Sequence, residues 1–236
     1  MSARDTVRAE GADAGAYLQG QISQDVESLT DGATAWSLLL QPTGKLVSWF
    51  RIHRVSADEY LLDIDAGHAT AMIARLQRFK LRTDVEFEQV TDRSIPDDLH
   101  WPGAADPDDE RQRILAGMPR MGSELTDRTI PGEGGREFID LSVSFTKGCY
   151  TGQELVARID SRGGAVPRPI RVVRADGAIG VDDEIIVDGE VVGRVTSAAG
   201  ELALAPMLRR VEIGDAVSVG GVPGVVIEPL AGSLTE

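Results

Sequence analysis

The sequence predicts an α+β protein, in which a body of mixed strands and helices at residues 1–165 precedes a small C-terminal β-barrel at residues 166–236. Two observations lead to this fold class. In the body, runs of strand-forming residues are mixed with a stretch of helical apolar spacing. After residue 165 the helical signals stop and only short strand-like runs remain. Short strands that follow one another closely are typical of a small barrel.

The elements of the body are predicted in chain order. Asp13 is a candidate N-cap for a short helix that ends at Gly20, and Ser23 could cap a second one through Val26. Strands are then expected at 36–40, 46–53 and 60–64, with a turn at 42–45. Apolar residues at helical spacing predict a helix at 68–79, and a further strand is expected around 85–87. This order favours a sheet with helices packed on it.

The second half of the chain begins with a connection. Residues 91–110 are rich in proline and acidic residues and show little periodicity, which indicates an exposed segment. A short helix at 111–116 is expected to stop at Gly117. The barrel strands are expected at 170–173, 184–187, 191–195, 202–204, 216–219 and 225–227. We therefore place a domain boundary near residue 165.

Composition limits the classes of function. The 24 basic and 38 acidic residues give a net charge of -14, which disfavours stable nucleic-acid binding through a broad basic face. The single cysteine excludes an internal disulfide. We see no apolar signal segment at the N-terminus and no run of about 18 apolar residues. These features predict a cytoplasmic protein that does not enter a membrane.

One loop concentrates the residues that suggest chemistry: Lys147-Gly148-Cys149-Tyr150-Thr151-Gly152-Gln153-Glu154. Thr151 and Glu154 fit a capping box, which predicts a helix from residue 152 to about 159. Cys149 would then lie beside the positive end of that helix with Lys147 nearby, and both neighbours favour a thiolate. Gly148 leaves room for a close approach of the backbone to another group. The alternative is that Cys149 is a small buried hydrophobe in an ordinary turn.

The loop and the start of the helix, from Lys147 through Leu155-Val156-Ala157 to Arg158, closely resemble the signature of the YgfZ family of folate-binding proteins, which are relatives of the glycine-cleavage T-protein. Other stretches resemble the family's landmarks in the same order: 11–14, 17–26, 38–45, 79–82, 113–119, 131–133 and 162–163. The resemblance covers most of residues 6–165. The terminal barrel fits by architecture only.

The resemblance implies a T-protein-like body around a channel that binds tetrahydrofolate or a derivative. It implies an accessory role in the assembly or repair of iron–sulfur clusters, and so in cluster-dependent tRNA modification, with cluster-assembly or client proteins as partners. Cys149 and Lys147 are the implied reactive residues. The companions in the motif are Gly148, Tyr150, Gly152, Gln153, Glu154 and Arg158. Because a lone cysteine cannot supply four thiolates, Cys149 is at most one ligand of a transient, shared cluster.

Three residues outside the motif are further candidates for folate binding. Lys80 and Arg82 follow the helix at 68–79, where they are either solvated cations at a helix end or contacts for the glutamate tail of a folate. Trp49 is either a packing residue or one wall of a pterin pocket. The three histidines, His53, His68 and His100, show no metal-ligand spacing, so no metal site is predicted.

Two departures from the family pattern leave other functions open. The T-protein branch carries acidic residues just after the Gly44 turn, whereas this chain has Lys45-Leu46-Val47-Ser48-Trp49. Folate-dependent aminomethyl transfer or a related one-carbon transfer is therefore the alternative and not the preferred function. The segment 91–110 is shorter than in typical members, so we expect two lobes with one of them trimmed. A third reading is an interaction module that has lost folate binding.

Overall fold

A computed structural model describes residues 3–106, 108–161 and 163–230. Arg162, part of one stretch that resembles the family, lies outside these residues. The helices are α1 (Ala14–Gln21), α2 (Ala69–Arg78), α3 (Glu110–Leu115), α4 (Gly135–Ser142) and α5 (Gln153–Ser161), with a 3₁₀ turn at Pro131–Gly134. The strands of the first half are β1 (Arg4–Glu10), β2 (Thr34–Leu40), β3 (Leu46–Arg54), β4 (Glu59–Asp65) and β5 (Glu86–Val90). Those of the second half are β6 (Ile170–Ala175), β7 (Glu184–Val187), β8 (Glu190–Arg194), β9 (Ser197–Ala199), β10 (Leu202–Pro206), β11 (Ala216–Val219) and β12 (Val222–Ile227).

The chain forms two compact units. The first contains Met1–Leu99, Thr126–Pro131 and Arg136–Ser161, and the second contains His100–Leu125, Gly132–Gly135 and Arg162–Glu236, each within the described ranges. The chain therefore passes from one unit to the other more than once. The domain boundary near residue 165 stays a prediction.

The first unit is built on a five-stranded antiparallel sheet in the order β2-β3-β4-β1-β5. Helices α1 and α2 pack on this sheet, and the Tyr17 hydroxyl on α1 donates a hydrogen bond to the Leu76 carbonyl on α2. The sequence analysis missed β1, although it lies between β4 and β5. Its only apolar residues are the fully buried Val7 and Ala9, so its strand signal is weak.

The second unit contains a seven-stranded antiparallel sheet in the order β8-β7-β11-β12-β6-β10-β9. The sheet curls back on itself, since the Leu208 N–H just after β10 donates to the Val192 carbonyl on β8 at 2.8 Å. Helix α3 covers part of it, with Ile114 packed against Val172 and two buried leucines of β10. The predicted α+β class is confirmed by these two sheets and their helices.

Two local expectations need correction, and both concern capping. No helix begins at Ser23; its hydroxyl instead donates to the Ser142 carbonyl at 2.6 Å and accepts from the Leu38 N–H at 2.8 Å. Asp13 does occupy the N-cap position of α1, but its carboxylate accepts from the Asp84 N–H, at 2.8 Å, and caps no amide of the helix. Both polar side chains are used by partners that are distant in sequence. Among the described helices, none is long and apolar enough to cross a bilayer.

Candidate functional site

The predicted motif forms the loop between α4 and α5, and we call residues 144–152 the motif loop. It begins where the Ser144 N–H donates to the Ser23 carbonyl at 3.0 Å. Cys149 is exposed near its middle. The alternative interpretation, in which this cysteine is a buried hydrophobe, is therefore wrong.

Lys147 anchors the loop to the C-terminal end of α1. Its ammonium group donates to the carbonyls of Gln19 (2.7 Å), Ile22 (2.8 Å) and Gln24 (2.7 Å). The last carbonyls of a helix have no partner within the helix, so a cation there stabilises the helix end. Burial lowers the pKa of Lys147 to about 8, against the opposing charges of Asp25 and Glu27. Its three protons are occupied by carbonyls, so in this geometry it positions the loop that carries Cys149.

Thr151 forms a second link to α1, and the predicted capping box is absent. The Thr151 N–H donates to the Gly20 carbonyl at 3.1 Å, so it is not available to the Glu154 carboxylate. Helix α5 begins at Gln153. The Gln153 side chain accepts from the Tyr150 N–H at 3.2 Å, and its own N–H donates to the Tyr150 carbonyl at 3.4 Å. This reciprocal pair closes the loop in place of the capping box.

Gly152 and Gly44 allow the loop to lie against the β2–β3 turn. Gly152 has φ +86°, and a Cβ there would lie 2.6 Å from the Gln41 carbonyl oxygen and 2.7 Å from the Leu40 Cβ. Gly44 has φ +81°, and a Cβ on it would lie 2.4 Å from the Leu155 Cβ. Both positions therefore require glycine, for backbone conformation and for space.

The side of the loop that carries Gly148 is open. A Cβ built on Gly148 would meet no atom within 4 Å, so no described protein group makes the close approach that the sequence suggested. Tyr150 points the other way and is 8% exposed, with its ring 5.3 Å from the Lys147 ammonium nitrogen. Burial raises the pKa of the Tyr150 phenol to about 12, so it stays protonated. The loop thus has an anchored side and an open side, and Cys149 is on the exposed part.

The other motif residues lie on α5. Glu154 and Arg158 are both exposed, and neither forms an ion pair with another described residue. They extend the polar surface next to the loop.

The structure places Trp49 in the core of the first unit. Its ring stacks on Trp36 at 4.3 Å between centroids and meets Phe138 at 5.2 Å. Its indole N–H donates to the Ser142 hydroxyl at 3.0 Å, and only 3% of the residue is exposed. These contacts fit the packing interpretation of Trp49 and leave no free face for a pterin ring. Trp49 supports the end of α4, from which the motif loop starts.

Lys80 and Arg82 lie just after α2. Lys80 pairs with the exposed Glu86 at 2.5 Å, and Arg82 is exposed with φ +55°. Among the described residues, neither side chain forms a hydrogen bond or an ion pair with the motif loop. Their part in ligand binding stays a prediction.

Sequence reasoning missed Arg75 on α2. This residue is only 4% exposed; its Nε donates to the Leu40 carbonyl at 2.9 Å and its Nη1 to the Gln21 side-chain oxygen at 3.1 Å. The Thr151 hydroxyl donates to that same oxygen at 3.5 Å, which connects Arg75 to the motif loop. Its Nη2 is buried without a hydrogen-bond partner among the described residues. The available signal was a charged residue three positions after Met72, on the apolar face of the helix.

Metal-ligating side chains do not gather anywhere in the part of the chain that the structure describes: no three or more His, Cys, Asp or Glu residues are placed to hold an ion. His53, for example, pairs through Nδ1 with the Thr34 hydroxyl at 3.0 Å. Cys149 is the one thiol that this chain offers.

Comparison with known proteins identifies relatives by sequence. No protein-family model matches the chain. An uncharacterized protein of Haemophilus influenzae is 29% identical over 185 residues, covering 66% of this chain and 66% of that one. A mitochondrial iron–sulfur cluster assembly factor IBA57 homolog of Mycosarcoma maydis is 28% identical (68% of this chain, 53% of the relative). The tRNA-modifying protein YgfZ of Klebsiella pneumoniae is 27% identical (65% and 64%). These matches span between about half and two thirds of the relatives' own lengths.

A solved structure supports the same relationship at the level of the fold. The glycine cleavage system aminomethyltransferase T of Bartonella henselae superposes with a TM-score of 0.74, over 99% of this chain and 84% of that one, at 15% sequence identity. At this identity the likeness concerns the fold alone. The resemblance found in the sequence is thus confirmed: the chain is a homologue of proteins named YgfZ and IBA57, and it has the fold of the glycine-cleavage T-protein.

Proposed function

We propose that this protein is a cytoplasmic, folate-binding accessory factor that supports the assembly or repair of iron–sulfur clusters, and through them cluster-dependent tRNA modification. The observation that carries the proposal is the exposed thiol of Cys149 in a loop that is fixed to α1 by Lys147 and Thr151. The context comes from the relatives, whose names refer to cluster assembly and tRNA modification.

The geometry of the loop suits a thiol that meets another molecule. The loop is anchored by backbone and lysine contacts, so Cys149 is presented without a large ordering cost on binding. An exposed thiol can supply one ligand to a cluster, whereas a complete cluster needs further ligands from a partner protein or a small thiol. This matches a transient interaction with assembly or client proteins.

Two observations test whether the residues present fit a folate. The buried Nη2 of Arg75 has no acceptor among the residues that the structure describes, so the carboxylate of a folate would satisfy it. Trp49 cannot stack on a pterin while both Trp36 and Phe138 pack against it, so the pterin would need another surface. The open side of the motif loop at Gly148 is available for part of the ligand.

Aminomethyl transfer is disfavoured because residues 45–49, where the T-protein resemblance leads us to expect an acid, contain none. Ser48 is fully buried on β3 and its hydroxyl has no hydrogen-bond partner among the described residues. A serine hydroxyl cannot replace a carboxylate as a proton acceptor near neutral pH. We therefore propose folate binding in a supporting role.

The proposed role of Cys149 is tested by complementation of a bacterial strain that lacks its own YgfZ protein. We expect the wild-type chain to restore cluster-dependent modified nucleosides in tRNA, measured by mass spectrometry, and Cys149→Ala to fail at equal protein level. Thr146→Ala, an exposed change in the same loop, is the matched control and should complement. Full complementation by Cys149→Ala would remove the thiol from the proposal.

Folate binding is tested separately by anaerobic calorimetric titration of the full chain with tetrahydrofolate. Saturable binding with unchanged ligand after incubation supports the accessory role. Turnover of a one-carbon derivative would instead favour the transferase. If no heat of binding is detected, the folate part of the proposal falls and only the role of the thiol remains.

A further inference from the structure

Arg75 is exceptional among the buried arginines. Three arginines in the described part of the chain are at least nine-tenths buried: Arg51, Arg75 and Arg113. Arg51 pairs with Asp63 at 2.8 Å and with Asp97 at 2.7 Å. Arg113 pairs with Glu110 at 2.6 Å and lies 3.4 Å from Glu124. Arg75 has no carboxylate partner among the described residues.

The lack of a counter-ion is unexpected on physical grounds. Removing a guanidinium from water is expensive unless a carboxylate and full hydrogen bonding compensate. The chain has 38 acidic residues for 24 basic ones, so acids are abundant. Nevertheless, within the described part of the chain, the acceptors of Arg75 are a carbonyl and a side-chain amide, and its Nη2 has no acceptor there. Burial lowers the pKa of Arg75, which reflects the same uncompensated charge.

The surroundings of Arg75 lead to the motif loop on one side and to an exposed ring on the other. Gln21, which accepts from Nη1, also accepts from the Thr151 hydroxyl. The ring of Phe79 lies 4.4 Å from the guanidinium carbon and is 41% exposed. The ring therefore lies against the guanidinium and is itself partly open to solvent.

We propose that Arg75 is a ligand-binding residue whose Nη2 receives a carboxylate of a small molecule held beside the motif loop, once the Phe79 ring moves aside. The assignment rests on the proposed function, under which the carboxylate is the glutamyl group of tetrahydrofolate. Since Nε and Nη1 already hold the guanidinium in place, the free edge is fixed before the ligand arrives. A charge-assisted hydrogen bond of this kind is among the stronger polar contacts in proteins.

The test compares two ligands on the full chain by anaerobic calorimetry: tetrahydrofolate, and the N-methylamide of tetrahydropteroic acid, which lacks the glutamyl group and carries no carboxylate. We expect the wild type to bind tetrahydrofolate about ten- to a hundredfold more tightly than the second ligand. A factor of this size corresponds to the free energy of one hydrogen bond to a charged group. Arg75→Gln should lower the affinity for tetrahydrofolate by that factor and leave the affinity for the neutral amide unchanged. Arg128→Gln removes the same charge from an exposed position in the first unit and should leave both affinities unchanged.

The outcomes separate this inference from the proposed function. Equal wild-type affinity for the two ligands overturns the assignment of Arg75 and leaves folate binding intact. An equal loss for both ligands in Arg75→Gln shows that the residue acts through structure, and it also overturns the assignment. Wild-type protein that binds neither ligand refutes folate binding and this assignment together. The comparison of ligands on the wild type needs no variant, so a variant that fails to fold does not obstruct the test.

Discussion

Replacement of Gly152 by alanine tests whether the motif loop depends on its close approach to the β2–β3 turn. An alanine at φ +86° is strained by about 1–2 kcal/mol, because its Cβ crowds the adjacent peptide. The same Cβ would lie 2.6 Å from the Gln41 carbonyl oxygen and 2.7 Å from the Leu40 Cβ, and such overpacking adds about 1–3 kcal/mol. We therefore expect Gly152→Ala to lower the free energy of unfolding of the first unit by about 2–5 kcal/mol.

Urea unfolding monitored by tryptophan fluorescence measures this loss, since the stacked Trp36 and Trp49 lie in the same unit as the loop. Gly148→Ala is the matched control, because a Cβ at that position meets nothing within 4 Å. We expect its effect on stability to remain within about 0.5 kcal/mol. Equal stability of the two variants would refute the argument that Gly152 is required by the contact with Gln41 and Leu40.

Three further predictions concern the anchor, the thiol and the second unit. Lys147→Met should cost about 2–3 kcal/mol at pH 7, because it leaves three part-buried carbonyls without their hydrogen-bond donor; urea unfolding measures this loss. The Lys147 side chain loses its proton near pH 10.5 in the unfolded chain and near pH 8 in the folded chain. The difference in free energy of unfolding between the wild type and Lys147→Met should therefore grow as the pH rises from 8 to 10.5. A difference that shrinks over this range would contradict the lowered pKa. Cys149→Ala should retain wild-type stability in the same assay, since the exposed side chain has no packing to lose. Glu124→Ala should destabilise the second unit by about 3–5 kcal/mol in urea unfolding, because it removes a charge partner of the buried Arg113. Glu184→Gln, in an exposed ion pair, should change the stability by less than about 1 kcal/mol. Similar losses in the two variants would refute the role of burial.

The sequence predicted those elements whose signals are local. Strands β2, β3 and β4 and helix α2 were expected within one or two residues of their observed ends, because their apolar spacing is regular. Strand β1 was missed because Val7 and Ala9 are its only apolar residues, and its central place depends on pairing with β4 and β5.

Expectations that relied on a polar side chain near its own helix were less successful. Ser23 and Thr151 both fit local capping patterns, yet each uses its hydrogen bonds on residues more than 100 positions away, at Ser142 and Gly20 respectively. A capping pattern records only what a side chain can do locally, and tertiary contacts decide between the options. Helix α3 shows another limit of local patterns: it precedes the boundary predicted near residue 165, yet it packs on Val172 and belongs to the second unit.

The site was recognised from the types of residue in the motif, but its geometry was not. The exposure of Cys149 agrees with the expectation of a presented thiol. That Lys147 binds three carbonyls could not be deduced, since its partners are 123 to 128 positions away in sequence. Arg75 was not considered because it has no place in the motif, and the lack of an acceptor for its Nη2 among the described residues depends on the tertiary structure.

The attachment of the motif loop to α1 also has a kinetic consequence. A contact that joins residues 19 and 147 closes a long stretch of chain, so its entropic cost is met only after much of the first unit has folded. The loop is therefore among the last parts to acquire its final shape. A newly made chain would carry its thiol in an unstructured segment until the N-terminal helix has docked, so the arrangement couples the presentation of Cys149 to completed folding.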